Sequence, residues 1–245
     1  MRFENKIALI TGAAVGIGRA TALCMAQQGA SLALLDMDAA ALQAVAEECT
    51  QLQAQAECWT CDISDENRVK QVVSAVEERF GKIDILVNNA GIWRCFTSFL
   101  DTPSETWRRY FDVNVLGTAN VTRAVLPGMV KRQYGRIINV ASVVGVYGKT
   151  NMAQYAASKA AIINFTQSLA REVAELGVRV NCVSPGTVST SENSDIDFTE
   201  SMEKCYMQRT GSARENADLI CWLAGDESGY LSGQNILLDG CRKII

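Results

Sequence analysis

From end to end the chain alternates short β-branched runs with longer stretches whose apolar residues recur at helical spacing. The runs are Ile7–Thr11, Ser31–Asp36, Glu57–Asp62, Ile83–Asn88, Arg136–Ser142, Val178–Ser184 and Ile236–Leu238. Between them lie Gly16–Gln28, Ala39–Gln51, Glu66–Phe80, Ser104–Arg132, Ala153–Glu175 and Ala213–Ala224. Several runs are continuously apolar rather than alternating, a pattern that suits strands covered on both faces. With right-handed crossovers, such alternation closes into a doubly wound α/β sheet of about seven parallel strands with helices on both faces. No linker, repeat or low-complexity tract interrupts residues 1–245, so a single domain is expected. The rhythm fails once, over Pro185 to Gln208, which carries Glu192, Asp195, Asp197, Glu200 and Glu203. A long polar segment inside a compact domain is usually a lid or binding loop, so a substrate loop is expected over about 185–212.

Composition removes several functions. The chain contains no histidine, which excludes Ser-His-Asp and Cys-His hydrolysis and every His-ligated metal site. No metal is expected. A net charge of −4 offers no basic face for nucleic acid. The longest uncharged stretch, Ala20 to Leu35, has 16 residues, too few for a membrane span. Met1 to Lys6 runs into a short apolar stretch unlike a secretory signal, and the nine cysteines are scattered. A cytoplasmic protein with free thiols is therefore expected. Cys58-Trp59-Thr60-Cys61 has redox or zinc spacing, but it reads as strand and no second such pair exists, which favours core thiols.

Thr11-Gly12-Ala13-Ala14-Val15-Gly16-Ile17-Gly18 joins the first strand to the first helix. Glycines there allow a tight turn and close backbone approach to a pyrophosphate, whose charge then sits at the helix N-terminus. Asp36 closes the second strand, where a carboxylate can accept from both adenosine ribose hydroxyls. It would repel a 2′-phosphate, and neither Val15 nor Met37 offers a compensating cation, so NAD is expected over NADP. The other reading of Asp36 is a helix cap. Asp62 can accept from an adenine amino group, or serve as a turn and N-cap residue.

Tyr155-Ala156-Ala157-Ser158-Lys159 opens a helical stretch, and positions i and i+4 share one face. A neighbouring ammonium favours phenolate, so Lys159 is expected to bring the Tyr155 proton within reach of neutral pH. Ser142 ends the fifth strand, on the side where ligands bind such sheets, and can hold a substrate oxygen. An exposed amphipathic face is the alternative for the Tyr/Lys pair alone.

Together with Asn88-Asn89-Ala90-Gly91, Asn114 and Pro185-Gly186-Thr187, these residues make the chain resemble a short-chain dehydrogenase/reductase of the family's most common type over nearly its whole length. The resemblance implies a Rossmann-like fold and a Ser142, Tyr155, Lys159 and Asn114 tetrad, with Asn114 anchoring a proton-relaying water. It also implies a cofactor site of Gly12, Gly16, Ile17, Gly18, Asp36, Asp62, Ile63, Asn89, Ala90, Gly91, Tyr155, Lys159, Pro185, Gly186 and Thr187. Lys159 would bind the nicotinamide ribose, and Thr187 would touch the carboxamide. Asp239-Gly240-Cys241 departs from the family's usual Asp-Gly-Gly, which bears on a C-terminal subunit contact. The family's usual Gly-Arg near the last helix is replaced by Gln208-Arg209-Thr210-Gly211. A homo-oligomer, tetramer or dimer, is implied, and Ala153, Ala156, Ala157, Ala160 and Ala161 offer small surfaces for helix approach.

Trp93, Arg94, Val144 and Tyr147 flank the site residues and are candidates for the pocket mouth. Trp93 and Tyr147 suggest a bulky apolar small-molecule substrate such as a hydroxysteroid, and Arg94 can pair with a substrate carboxylate or phosphate. The alternatives are a 3-oxoacyl-carrier reductase, a type that usually prefers NADPH, or a polyol dehydrogenase. A non-catalytic dinucleotide-binding sensor is the reading from another class.

Overall fold

A computed structural model describes residues 1–243, with the backbone alone at Glu192. That side chain, one of the five acids noted above, lies outside the described residues. Seven strands form one parallel sheet: β1 (Ile7–Thr11), β2 (Ser31–Asp36), β3 (Ala56–Thr60), β4 (Ile85–Asn88), β5 (Gly135–Val140), β6 (Val178–Pro185) and the last strand, β9 (Asn235–Leu238). Their order is β3-β2-β1-β4-β5-β6-β9. The order reverses between β1 and β4, and ligands of such sheets bind in the crevice beyond the strand ends at that point.

Successive residues of β1 serve opposite faces. Ile10 packs with Met25, Leu42, Ile220 and Leu223 on the side of α1 (Gly16–Gln27), α2 (Ala39–Gln51) and α9 (Ala213–Ala224). Leu9 packs with Val69, Val76, Val121, Met129 and Leu169 on the side of α3 (Glu66–Phe80), α5 (Thr118–Lys131) and α7 (Ala153–Val173). Each of these buried side chains contributes roughly 1.5–3 kcal/mol. This two-sided core explains why the strands read as continuous apolar runs.

The expected helix over Ser104–Arg132 is divided. It consists of α4 (Ser104–Phe111), a π-helical turn over Asp112–Gly117, and α5. The cause is Asn114, whose side chain bonds the Ile92 backbone on both sides: Oδ1 accepts from the amide at 2.8 Å, and Nδ2 donates to the carbonyl at 3.0 Å. Holding that grip demands a wider turn.

Strand ends also shift where side chains turn the chain. β3 stops at Thr60 rather than Asp62, because the Asp62 carboxylate accepts from the Ser64 amide and hydroxyl. β4 begins at Ile85 rather than Ile83, with the Asp84 carboxylate taking the Ile7 amide at 3.0 Å. β5 stops at Val140 rather than Ser142, whose hydroxyl takes the Val144 amide at 3.2 Å and opens the short helix α6 (Val144–Tyr147).

The segment after β6 holds the two-residue strands β7 (Val188–Ser189) and β8 (Gly211–Ser212), paired with each other, and the short helix α8 (Thr199–Glu203). Backbone bonds tie this segment to the chain end: Tyr206 donates to the Cys241 carbonyl, Met207 to that of Gly240, and Lys243 to that of Lys204. All nine cysteines are free, and burial raises the pKa of both Cys58 and Cys61. Among the described residues no helix is long and apolar enough to cross a membrane.

Candidate active site

The turn between β1 and α1 is built around close backbone contact. Gly12 and Gly16 have φ of +63° and +55°. A Cβ on Gly18 would lie 1.9 Å from the Gly12 carbonyl oxygen, and one on Gly12 would lie 2.8 Å from Ala90 Cα. Only glycine fits. The turn is latched to the strand beside it: Asn89 Nδ2 donates to the carbonyls of Thr11 and Gly12 at 3.1 and 2.9 Å. The Thr11 hydroxyl accepts from the amides of Asn89 and Ala90, both at 3.1 Å.

The helices α2, α3 and α9 are capped by Asp38, Asp65 and Ser212, whereas no side chain caps α1. The first turn of α1 opens into a cleft of about 570 Å³, lined there by Gly12, Gly16 and Ile17. A glycine cradle beside an uncapped helix start fits a pyrophosphate. Asp36 and Asp62 line the same end. Asp36 does not cap α2, a role filled by Asp38; its carboxylate accepts from the amides of Ala14, Met37 and Asp38.

At the other end of the cleft lie Ser142, Tyr155 and Lys159, with Pro185, Gly186 and Thr187 along one wall. Gly186 donates to the Leu238 carbonyl, and Val143 donates to that of Pro185, so the ends of β5, β6 and β9 share one network. The Ser142 and Tyr155 hydroxyls are hydrogen-bonded, which opposes the rise that burial causes, yet burial still pushes the phenol up to about 12. Burial brings the Lys159 ammonium down to about 8. It donates to the Val140 carbonyl at 2.8 Å and stands 5.8 Å from the centre of the Tyr155 ring.

The expected tuning of the phenol by the lysine is therefore corrected. Desolvation raises the phenol, and what opposes that rise is the Ser142 hydrogen bond rather than the Lys159 charge. Asn114 lies behind the cleft wall, its side chain fully engaged by Ile92 and by the Ser158 hydroxyl, to which it donates at 3.0 Å. Below the site a buried ladder crosses the sheet. Asn88 Nδ2 donates to Thr122 Oγ1 and Asn139 Oδ1, and Asn139 Nδ2 donates to Thr166 Oγ1.

Ile63, Asn89, Ala90, Gly91, Trp93, Arg94 and Val144 also line the cleft. Gly18 sits under the turn instead, and Tyr147 lies outside the cleft on the exposed surface of α6. Arg94 is engaged, its guanidinium 3.4 Å from the Asp195 carboxylate and 5.1 Å from the Trp93 ring centre. Sequence reasoning missed Phe96, Lys149, Met152 and Phe198, which complete the outer wall. Only the acidic segment after β6 hinted at Phe198; nothing in the spacing marks Lys149.

The comparisons with known proteins agree with this geometry. The family model for short chain dehydrogenase matches residues 6–201. The 3-oxoacyl-[acyl-carrier-protein] reductase FabG of Thermotoga maritima is 40% identical over 243 residues, covering 98% of each chain. Oxidoreductase UcpA of Salmonella typhimurium is 39% identical over 258 residues, covering 98% of this chain and 95% of its own. Among solved structures, an NAD+-bound xylitol dehydrogenase superposes with a TM-score of 0.95 at 34% identity, covering 98% of this chain and 100% of its own. A levodione reductase superposes with a TM-score of 0.94 at 32% identity, covering 98% of each chain. Seven parallel strands, a glycine turn opening onto one cleft, and a serine and tyrosine at its far end accompany these matches: the chain belongs to the short-chain dehydrogenase family, oxidoreductases that use a nicotinamide dinucleotide on alcohol or keto groups.

Proposed function

We propose that the chain interconverts a ketone and a secondary alcohol with NAD(H), and that 3-oxoacyl thioesters are its substrate class. The observation that carries the cofactor choice is Asp36. Its carboxylate lies at the end of the cleft lined by Gly12, Val15, Gly16, Ile17 and Met37, none of them cationic. A 2′-phosphate there would meet an anion with no counter-charge.

A bound nicotinamide supplies or accepts the hydride. The chain's own residues manage the oxygen. Ser142 Oγ, bonded to the phenol, holds the carbonyl oxygen, and Tyr155 gives that oxygen its proton. Lys159, fixed on the Val140 carbonyl, would hold a ribose hydroxyl of the bound cofactor.

The hydroxysteroid reading gives way to the alternative. Relatives bear the names of a 3-oxoacyl-[acyl-carrier-protein] reductase and a xylitol dehydrogenase. The outer wall, with Ile92, Trp93, Phe96, Met152 and Phe198, suits an acyl chain better than a hydroxyl-rich one. The NAD+-bound state of the xylitol dehydrogenase neighbour favours a polyol as the second reading. Assembly as a homo-oligomer is supported by the alanine face of α7, where Ala160 is exposed and Ala153, Ala156, Ala157 and Ala161 are half-buried.

The test is turnover of acetoacetyl-coenzyme A, xylitol and a 3-hydroxysteroid with each cofactor. Reduction of the thioester with NADH preferred over NADPH is expected. Preference for NADPH would remove the role given to Asp36, and turnover of xylitol alone would put the polyol first.

A further inference from the structure

Lys149 follows Gly148, whose φ of +73° turns the chain out of α6, and it lines the outer cleft together with Glu200 and Ser201 of α8. The other charged side chains of that wall are engaged. Arg94 pairs with Asp195, Lys159 donates to the Val140 carbonyl, and the Asp197 carboxylate takes the Thr199 amide and hydroxyl. Among the described residues no carboxylate pairs with the Lys149 ammonium. Its charged neighbours are Arg242, Glu200 and Lys204, and the Glu200 carboxylate is already held by Lys204 at 2.5 Å. Two cations and one spent anion thus act on an exposed ammonium at the rim of the cleft. Partial desolvation at that rim and the repulsion of Arg242 both lower the pKa of Lys149. A ligand anion relieves both costs at once.

We infer that the outer cleft is an anion subsite centred on Lys149, which selects ketones carrying a carboxylate or phosphate beyond the reacting carbonyl. This deepens the function proposed above and rests on it. It also moves to Lys149 the role that sequence reasoning gave to Arg94.

Two matched pairs test the inference by binding to the full chain in the presence of NADH, followed by calorimetry. Acetoacetyl-coenzyme A is set against the uncharged S-acetoacetyl-N-acetylcysteamine, and levulinate against its methyl ester. One charge-assisted contact predicts about a tenfold preference for the anionic member of at least one pair. The pair that shows it tells phosphate from carboxylate. Lys149→Gln should erase the preference and Lys149→Arg should keep it. Glu200→Gln, which frees Lys204, should enlarge it. Equal binding within both pairs, or a preference that survives Lys149→Gln, would overturn the subsite. A preserved preference without turnover would instead count against the proposed reaction.

Discussion

The half of the cleft built from β1, α1 and β2 and the half built between β6 and α9 are held by contacts of different kinds. In the first, backbone lies against backbone. Gly12, Gly18, Asn89 and Thr11 interlock at distances where an added methyl has no room, and Asp36 ties β2 to the turn through the Ala14 amide. In the second, the wall rests on two-residue strands, a five-residue helix and backbone bonds to the chain end. Its lining comes from side chains far apart in sequence, among them Phe96, Lys149 and Phe198. A nicotinamide dinucleotide, the kind of cofactor this family binds, can be met by fixed backbone. A substrate that differs between relatives is met by side chains that substitution can change without disturbing the sheet.

The largest test strikes the seam between the halves. Tyr155→Phe should cut turnover by about three orders of magnitude while leaving NADH affinity, read by fluorescence titration, within about twofold. Unchanged turnover would show that the proton comes from elsewhere. Within the rigid half, Gly18→Ala drives a Cβ into the Gly12 carbonyl and should lower unfolding free energy by about 1–3 kcal/mol while weakening NADH binding. Asp36→Ala should reduce the preference for NAD over NADP by roughly ten- to hundredfold, measured as a ratio of kcat/KM values.

A subtler test uses the buried lysine. The Lys159 pKa of about 8 lies below its unfolded value near 10.5, so its cost to the cofactor-free fold is complete below pH 8. That cost fades as pH rises and is gone above the unfolded value. Lys159→Met should therefore be inactive yet more heat-stable than the wild type at pH 7, with the gap in Tm narrowing above pH 8 and closing above pH 10.5. The smallest effect is expected in the adjustable half. A chain ending at Arg242 lacks the Lys243 bonds to Lys204 and to the Glu203 carbonyl. Its KM for the ketone should rise about two- to threefold, with that for NADH unmoved.

Legibility in the sequence follows the same division. The observed bounds of β1, β2, α2, α3 and α9 coincide with those expected from periodicity, since two-sided burial and capping by Asp38, Asp65 and Ser212 leave a local record. The glycine turn was readable for a steric reason that lies within a few residues. The π-helical turn was not, because the grip of Asn114 on Ile92 joins segments that periodicity treats separately. Lys149 was invisible for the same reason: its surroundings are set by α8 and the chain end. The tuning of Tyr155 failed differently. Spacing gives the proximity of two side chains but not the desolvation that each suffers once the sheet and helices close over them.

The widened turn at Asp112–Gly117 also bears on how this chain can be altered. It accommodates one residue more than an ordinary helical turn would, and a residue in an α-helix advances about 100° around the axis. Deleting a single position there would straighten the segment and swing Asn114 by nearly a third of a circle, releasing Ile92 and the strand-end loop it steadies. Point substitutions leave that angular phase untouched, whereas one lost codon resets it for everything upstream in the helix.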